Sequence, residues 1–379
     1  MDGRILYLTH TASIGGAENN LLRLLQAWNA KQVSTAVLLP QDGPLVKAVK
    51  SLGVPVGLVP YYSFRWRNPF RYLQTLGTLL IHVLRFQADV IHLNHQCLVE
   101  FAVQAGRLSH RPVVCHIRNL LQSQDLAPLL SWLMKADAIA GVSYAVLAPL
   151  HTAGIPEDRL HLIPNGLDFA RLLNARHPRI LHQELRLPAT TRLVGVLGRV
   201  VPEKGIEEFL AAAEIISCQQ RDVHFVIVGE DWEQGAYVRR LKEHLRQIGL
   251  DGRVTFTGFR TDIPDILADL DVVVTPSRSD MPEGLPNTVL EALAVGDLVV
   301  ATRNSGTPEI IQDGVNGFLV DCDDIPGLAQ AILKALTLSE TDRRMIRQAA
   351  QESVKDRTIE NQVQQLGELY HSLVRGKFS

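Results

Sequence analysis

Residues 193–210 read LVGVLGRVVPEKGIEEFL. The apolar run to Leu197 has the character of a strand buried on both faces, and it ends at Gly198. Arg199 and Lys204 follow in a loop, and Gly205 opens the next helical stretch. Downstream, short apolar runs recur at 223–228 (VHFVIV), 253–257, 271–275 (DVVVT), 297–301 and 318–320, with longer segments between them. Upstream, the same alternation occupies 4–9 (RILYLT), 33–39, 55–59, 88–93 (ADVIHL), 112–116 (PVVCH) and 137–142. The spacing of Leu21, Leu22, Leu24, Leu25 and Trp28 predicts a helix over 17–29 with these residues on one face. Two βαβα series in one chain predict an α/β protein of two Rossmann-like, doubly wound domains. The junction falls near IPNGLD (163–168), giving domains over 1–165 and 166–356, and a last helical stretch follows at about 357–376.

The composition agrees with a globular chain: 379 residues, 46% hydrophobic and 21% charged. Cys97, Cys115, Cys218 and Cys322 are far apart, with no CxxC pair, which argues against a disulfide framework or a zinc site and suits a reducing cytoplasm. No signal peptide is evident, and no stretch approaches the ~20 apolar residues of a membrane-spanning helix. The net charge of −2 hides an asymmetry, because residues 1–165 hold 14 Lys and Arg against 9 Asp and Glu. Either an anionic partner meets the first half, such as a membrane surface or a phosphate-bearing acceptor, or the charges are simply scattered and solvated.

Three segments carry chemistry. The first, PEGLPNTVLEALAVG (282–296), places Glu283 and Glu291 on either side of seven residues. Pro286 suits the opening of a helix, whose first backbone N–H groups, from Asn287 and Thr288, would form an anion site. Glu291, about one turn in, could accept two hydrogen bonds from a ribose diol, and Glu283 could reach a donor sugar or its leaving phosphate. The second is the pair Arg199 and Lys204, placed where ligands bind in open α/β sheets and able to neutralise a diphosphate leaving group. The third is Gly15-Gly16 between the first strand and its helix, where a backbone N–H can approach a ligand, although GxGxxG is absent. His116 and Arg118 should sit at the carboxyl end of their strand and face a cleft, whereas His92 and His95 lack further ligands at that spacing and suggest no metal.

Together these segments resemble the retaining glycosyltransferase family 4, of the GT-B fold. The resemblance rests on GGAE (15–18), IPNGLD (163–168), LGRVVPEKG (197–205), VGE (228–230), FTGF (256–259), EGLPNTVLEALAVG (283–296) and TPEIIQDGVNGFLV (307–320), in the family's order through nearly the whole chain. It implies two Rossmann-like domains facing a central donor cleft, with the helix over 357–379 returning to the first domain. It implies catalytic roles for His116 and Glu283. It places a nucleotide-sugar donor, UDP- or GDP-linked, against Gly15, Gly16, Arg199, Lys204, Phe259, Arg260, Gly284, Leu285, Pro286, Asn287, Thr288, Val289 and Glu291. It implies no cofactor and no metal, since cations and a helix end do that work. Leu285-Pro286 stands where the family often has Phe-Gly, so one phosphate-binding N–H is missing.

The resulting expectation is a hexosyl- or N-acetylhexosaminyl-transferase of polysaccharide biosynthesis. Its acceptor would be a glycan or polyprenyl-linked sugar rather than nucleic acid, and it would be cytoplasmic or peripheral at the inner membrane face. The rival readings are another GT-B enzyme, an epimerase or phosphorylase, and a non-catalytic sugar-nucleotide-binding subunit. That last would normally have lost Arg199, Lys204 or Glu283. Residues 61–87 carry Arg65, Arg67, Arg71 and Arg85, no acidic residue, and seven aromatics (Tyr61, Tyr62, Phe64, Trp66, Phe70, Tyr72 and Phe86), which suits an anionic lipid surface. Against this, Leu73, Leu76, Leu80 and Val83-Leu84 follow helical spacing and read as core.

Overall fold

The structure is a computed structural model that describes residues 3–61, 69–177, 179–231, 235–280 and 283–376. The chain forms two compact units, Met1–Gly166 with Arg357–Ser379, and Leu167–Asp356. Unit 1 holds β1 (Arg4–Leu8), β2 (Ser34–Leu39), β3 (Val56–Leu58), β4 (Val90–Leu93), β5 (Val113–Ile117), β6 (Ala138–Gly141) and β7 (Leu160–Leu162). They form one sheet in the order β3-β2-β1-β4-β5-β6-β7, and every pairing is parallel. Unit 2 holds β8 (Arg192–Leu197), β9 (Val223–Val228), β10 (Val254–Gly258), β11 (Val272–Thr275), β12 (Leu298–Thr302) and β13 (Phe318–Val320). Its sheet is also wholly parallel, in the order β10-β9-β8-β11-β12-β13. In each sheet the strand order reverses beside the first strand, between β1 and β4 and between β8 and β11. Doubly wound sheets open a crevice at this point, beyond the carboxyl ends of the strands.

The strands form because their apolar runs leave no polar face, so both faces must be covered by helices. β9 is buried at all six positions and β4 at all four. The first helix runs Gly16–Ala30 and buries Leu21, Leu24, Leu25 and Trp28; Leu22 is only partly buried, at the margin of that face. The last helix, Ile359–Gly376, packs on unit 1 and buries Val363, Leu366 and Tyr370 in the core of Leu21, Trp28 and Tyr7. There the Trp28 indole N–H donates to the Tyr7 hydroxyl at 2.9 Å, and the Tyr370 hydroxyl meets His92 Nδ1 at 2.7 Å.

One expectation about the core is corrected. In the helix Pro69–Phe86 the buried face is Tyr72, Thr75, Leu79 and Val83, whereas Leu73 and Leu84 are each 59% exposed and Leu76 and Leu80 are half-buried. This helix is apolar over more of its circumference than one contact face covers, so spacing alone did not identify the buried stripe. Tyr72 orients it: its ring lies 5.0 Å from that of Phe101, and its hydroxyl bonds Glu100 at 2.7 Å. No helix of the described residues is long and apolar enough to cross a membrane.

Candidate functional site

The loop after β8 is shaped by its backbone. Gly205 has φ of +69°, and a Cβ there would lie 1.8 Å from the Pro276 carbonyl oxygen. Only glycine lets the β8 loop seat against the chain leaving β11. That contact brings Lys204 to the switch point. Its ammonium meets Glu283 Oε1 at 2.6 Å, and the same oxygen accepts the Ser277 hydroxyl at 2.8 Å. Asn304, just past β12, accepts the Glu283 N–H at 3.0 Å and donates to the Arg278 carbonyl at 2.6 Å. Burial alone would raise the Glu283 pKa, but Lys204, Ser277 and Arg199 outweigh it, and the net shift is downward. Glu283 is therefore an ionised carboxylate, with 21% of its side chain exposed beside an Arg199 that is exposed.

Pro286 caps the helix Asn287–Val295 with φ of −64°. The opening turn lies against the end of β8, where the Thr288 hydroxyl donates to the Leu197 carbonyl at 3.2 Å. Leu285 and Val289 are buried at 6% and 0% exposure, so this turn is anchored from below. Gly284 is buried, and its carbonyl accepts the Gly306 N–H at 3.0 Å; Glu291 is half-buried one turn in. Beyond β10, Phe259 is 65% exposed, while Arg260 is engaged by Glu184 at 2.7 Å and Asp262 at 2.5 Å. Those carboxylates raise the Arg260 pKa further. Sequence reasoning missed Ser277 and Asn304. Both follow the carboxyl end of a strand flanking the motif, and that position was the available signal.

In unit 1, Gly15 precedes the helix Gly16–Ala30 and donates its N–H to the Glu18 carboxylate at 3.1 Å. Arg118 is almost fully buried among amides: it donates to Asn94 Oδ1 at 2.8 Å, Asn20 Oδ1 at 2.9 Å and Asn165 Oδ1 at 2.5 Å. Burial lowers its pKa to about 10. Asn20 in turn donates to Gln362 at 3.0 Å, which also accepts the Gly166 N–H at 2.9 Å. The expected outward position of His116 is corrected. It lies inside β5, is 0% exposed, and stacks edge-on to His92 at 5.5 Å because β5 runs one residue further, to Ile117. Burial, with Arg118 and His92, pushes its pKa well below that of a free imidazole. The reading of the histidine spacing changes as well. His92 turns inward to Tyr370, whereas His95 converges with His10 and Cys97, their ligand atoms lying within 4.8 Å of one another.

Two parallel sheets, each with polar groups gathered at its switch point, and an Arg/Lys/Glu constellation before a helix N-terminus define a Rossmann-type α/β protein of two domains. Residues 14–171 match the family described as Glycosyltransferase Family 4, and residues 179–352 match Glycosyl transferases group 1. The chain belongs to glycosyltransferase family 4, and its fold is GT-B. It is 29% identical over 214 residues to a putative colanic acid biosynthesis glycosyltransferase, WcaL, of Escherichia coli K12, covering 55% of this chain and 49% of that protein. It is 28% identical over 223 residues to the UDP-Gal:alpha-D-GlcNAc-diphosphoundecaprenol alpha-1,3-galactosyltransferase of Escherichia coli, covering 58% of this chain and 56% of that one. The matches thus span about half the length of these relatives. Among solved structures, Anabaena Alr3699/HepE in complex with UDP-glucose matches at a TM-score of 0.85 and 25% identity, over 98% of this chain and 100% of that one.

Proposed function

We propose that this chain transfers a sugar from a nucleoside-diphosphate sugar to a glycan or polyprenyl-linked acceptor, with retention at the anomeric carbon and without a metal at the diphosphate. The observation that carries this reading is the cluster of Lys204, Glu283 and Ser277 at the unit 2 switch point, beside the opening turn of Asn287–Val295. A solved neighbour bound to UDP-glucose supports the donor class. In this reading Arg199 and Lys204 stabilise charge growing on the leaving diphosphate as the bond from the anomeric carbon to the phosphate oxygen breaks. The N–H groups of the helix opening face the same anion, and Glu291 takes the ribose. Glu283, ionised and held on two sides, orients Lys204 and contacts the donor sugar. Phe259 and Arg260 flank the base. The acceptor oxygen forms its bond on the face from which the diphosphate departs and passes its proton to that phosphate. Fully buried and within the electrostatic reach of Arg118, His116 acts as a positioning residue.

The same reading includes docking on an anionic lipid surface through residues 61–87. Phe70, Leu73, Ile81 and Leu84 are exposed on the helix Pro69–Phe86 beside exposed Arg71 and Arg85, with no acidic residue in the segment. Tyr61 and Tyr72 instead pack on Phe101, and Tyr62, Phe64, Arg65, Trp66 and Arg67 lie outside the described residues.

The test is a screen of UDP- and GDP-sugars with polyprenyl diphosphate-linked acceptors, with NMR of the product and the reaction repeated in EDTA. An anomeric configuration matching the donor's, with donor affinity unchanged by chelation, is expected. Inversion would refute the stereochemical claim. Loss of donor affinity in EDTA, restored by Mg²⁺, would refute the metal-free diphosphate site.

A further inference from the structure

Three side chains of the kinds that ligate soft and borderline metals converge at the unit 1 switch point. His10 follows β1, and His95 and Cys97 follow β4, the strand beside it. Their ligand atoms lie within 4.8 Å of one another, and the two imidazole rings stack at 4.4 Å. We propose that His10, His95 and Cys97 form a binding site for one zinc-like divalent cation, built wholly from unit 1.

The ligand set is right for that ion. Two imidazoles and one thiolate favour zinc over magnesium or calcium, which prefer oxygen. A tetrahedral zinc with bonds of about 2.0–2.3 Å separates its ligand atoms by roughly 3.3–3.8 Å, so small side-chain rotations close the site. His95 Nδ1 is buried and has no hydrogen-bond partner, an orphaned polar atom of the kind a metal satisfies.

The scaffold is firm. The Asn94 N–H bonds the Leu8 carbonyl at 2.8 Å, its side-chain carbonyl is clamped by Arg118, and Cys97 sits in the single turn Gln96–Leu98. The thiol proton leaves to solvent as the sulfur binds. Cys97 and His10 are exposed, so an ion can enter, and three protein ligands leave a fourth position for water or an oxygen of a bound substrate.

The test is titration of the metal-stripped full-length protein with Co²⁺ alone, under anaerobic conditions, followed by optical absorption. One equivalent should bind, with a thiolate-to-cobalt charge-transfer band and tetrahedral d–d bands that Zn²⁺ displaces. Cys97→Ser should abolish the charge-transfer band. His10→Gln should weaken binding by at least the roughly 10–100-fold that loss of a supporting group costs a metal site. Both positions are exposed, and unchanged circular dichroism of the metal-free variants would show that they fold. Cys218→Ser should change nothing. No stoichiometric uptake, or a charge-transfer band that survives Cys97→Ser, would overturn the site. Neither outcome bears on sugar transfer, because binding is read directly and not through turnover.

Discussion

Lys204 and Glu283 are 79 residues apart, yet they form a short ion pair because Gly205 lets two strand ends meet. A Cβ at Gly205 brings both a left-handed backbone penalty of about 1–2 kcal/mol and a collision with the Pro276 carbonyl. Gly205→Ala should therefore lower stability by about 2 kcal/mol or more, read as a drop in the thermal midpoint and in donor affinity together. An unchanged midpoint would show that the loop seats differently. At this scale the sequence was partly legible. Glu283 and Glu291 stand in one spaced motif and Arg199 and Lys204 in another, and such motifs report charge at a known strand end. Ser277 and Asn304 do not, because single polar residues in separate loops have no spacing to read. His10 escaped notice, and His95 was paired with His92 instead, for a related reason: His10 and His95 lie 85 residues apart and only the parallel pairing of β1 with β4 brings them together.

Twelve strands were legible as apolar runs; most are buried along nearly their whole length, and a parallel strand buried on both faces cannot alternate, while the edge strands β3 and β10 kept enough apolar residues to be read. β7 was missed: Leu160–Leu162 has three residues, a central histidine and only intermediate burial at every position, since it is an edge strand covered incompletely. The helix Pro69–Phe86 failed differently, by offering more apolar surface than its packing uses. The unused stripe of Phe70, Leu73, Ile81 and Leu84 is the element that the docking proposal rests on. Sedimentation with anionic vesicles should show binding at low salt that falls as salt rises. Changing Arg71 and Arg85 to Glu should weaken it by roughly tenfold or more, since each basic group contributes about 1 kcal/mol near such a surface. Absence of binding at low salt, or indifference to both substitutions, would count against the helix as the contact.

Across the molecule, two domains repeat one plan, and each gathers its polar groups where the strand order reverses. Arg199, Lys204 and the turn before Asn287–Val295 assemble at that place in unit 2, and a nucleoside diphosphate is the ligand proposed for them. Calorimetric titration of UDP and GDP into the protein and into its Arg199→Ala, Lys204→Ala and Glu291→Ala variants measures this most directly. A hydrogen bond to a charged group contributes about 1.5–3 kcal/mol, so each variant should bind roughly tenfold to a hundredfold more weakly than the parent. Undiminished affinity in all three variants would contradict the assignment of the donor site.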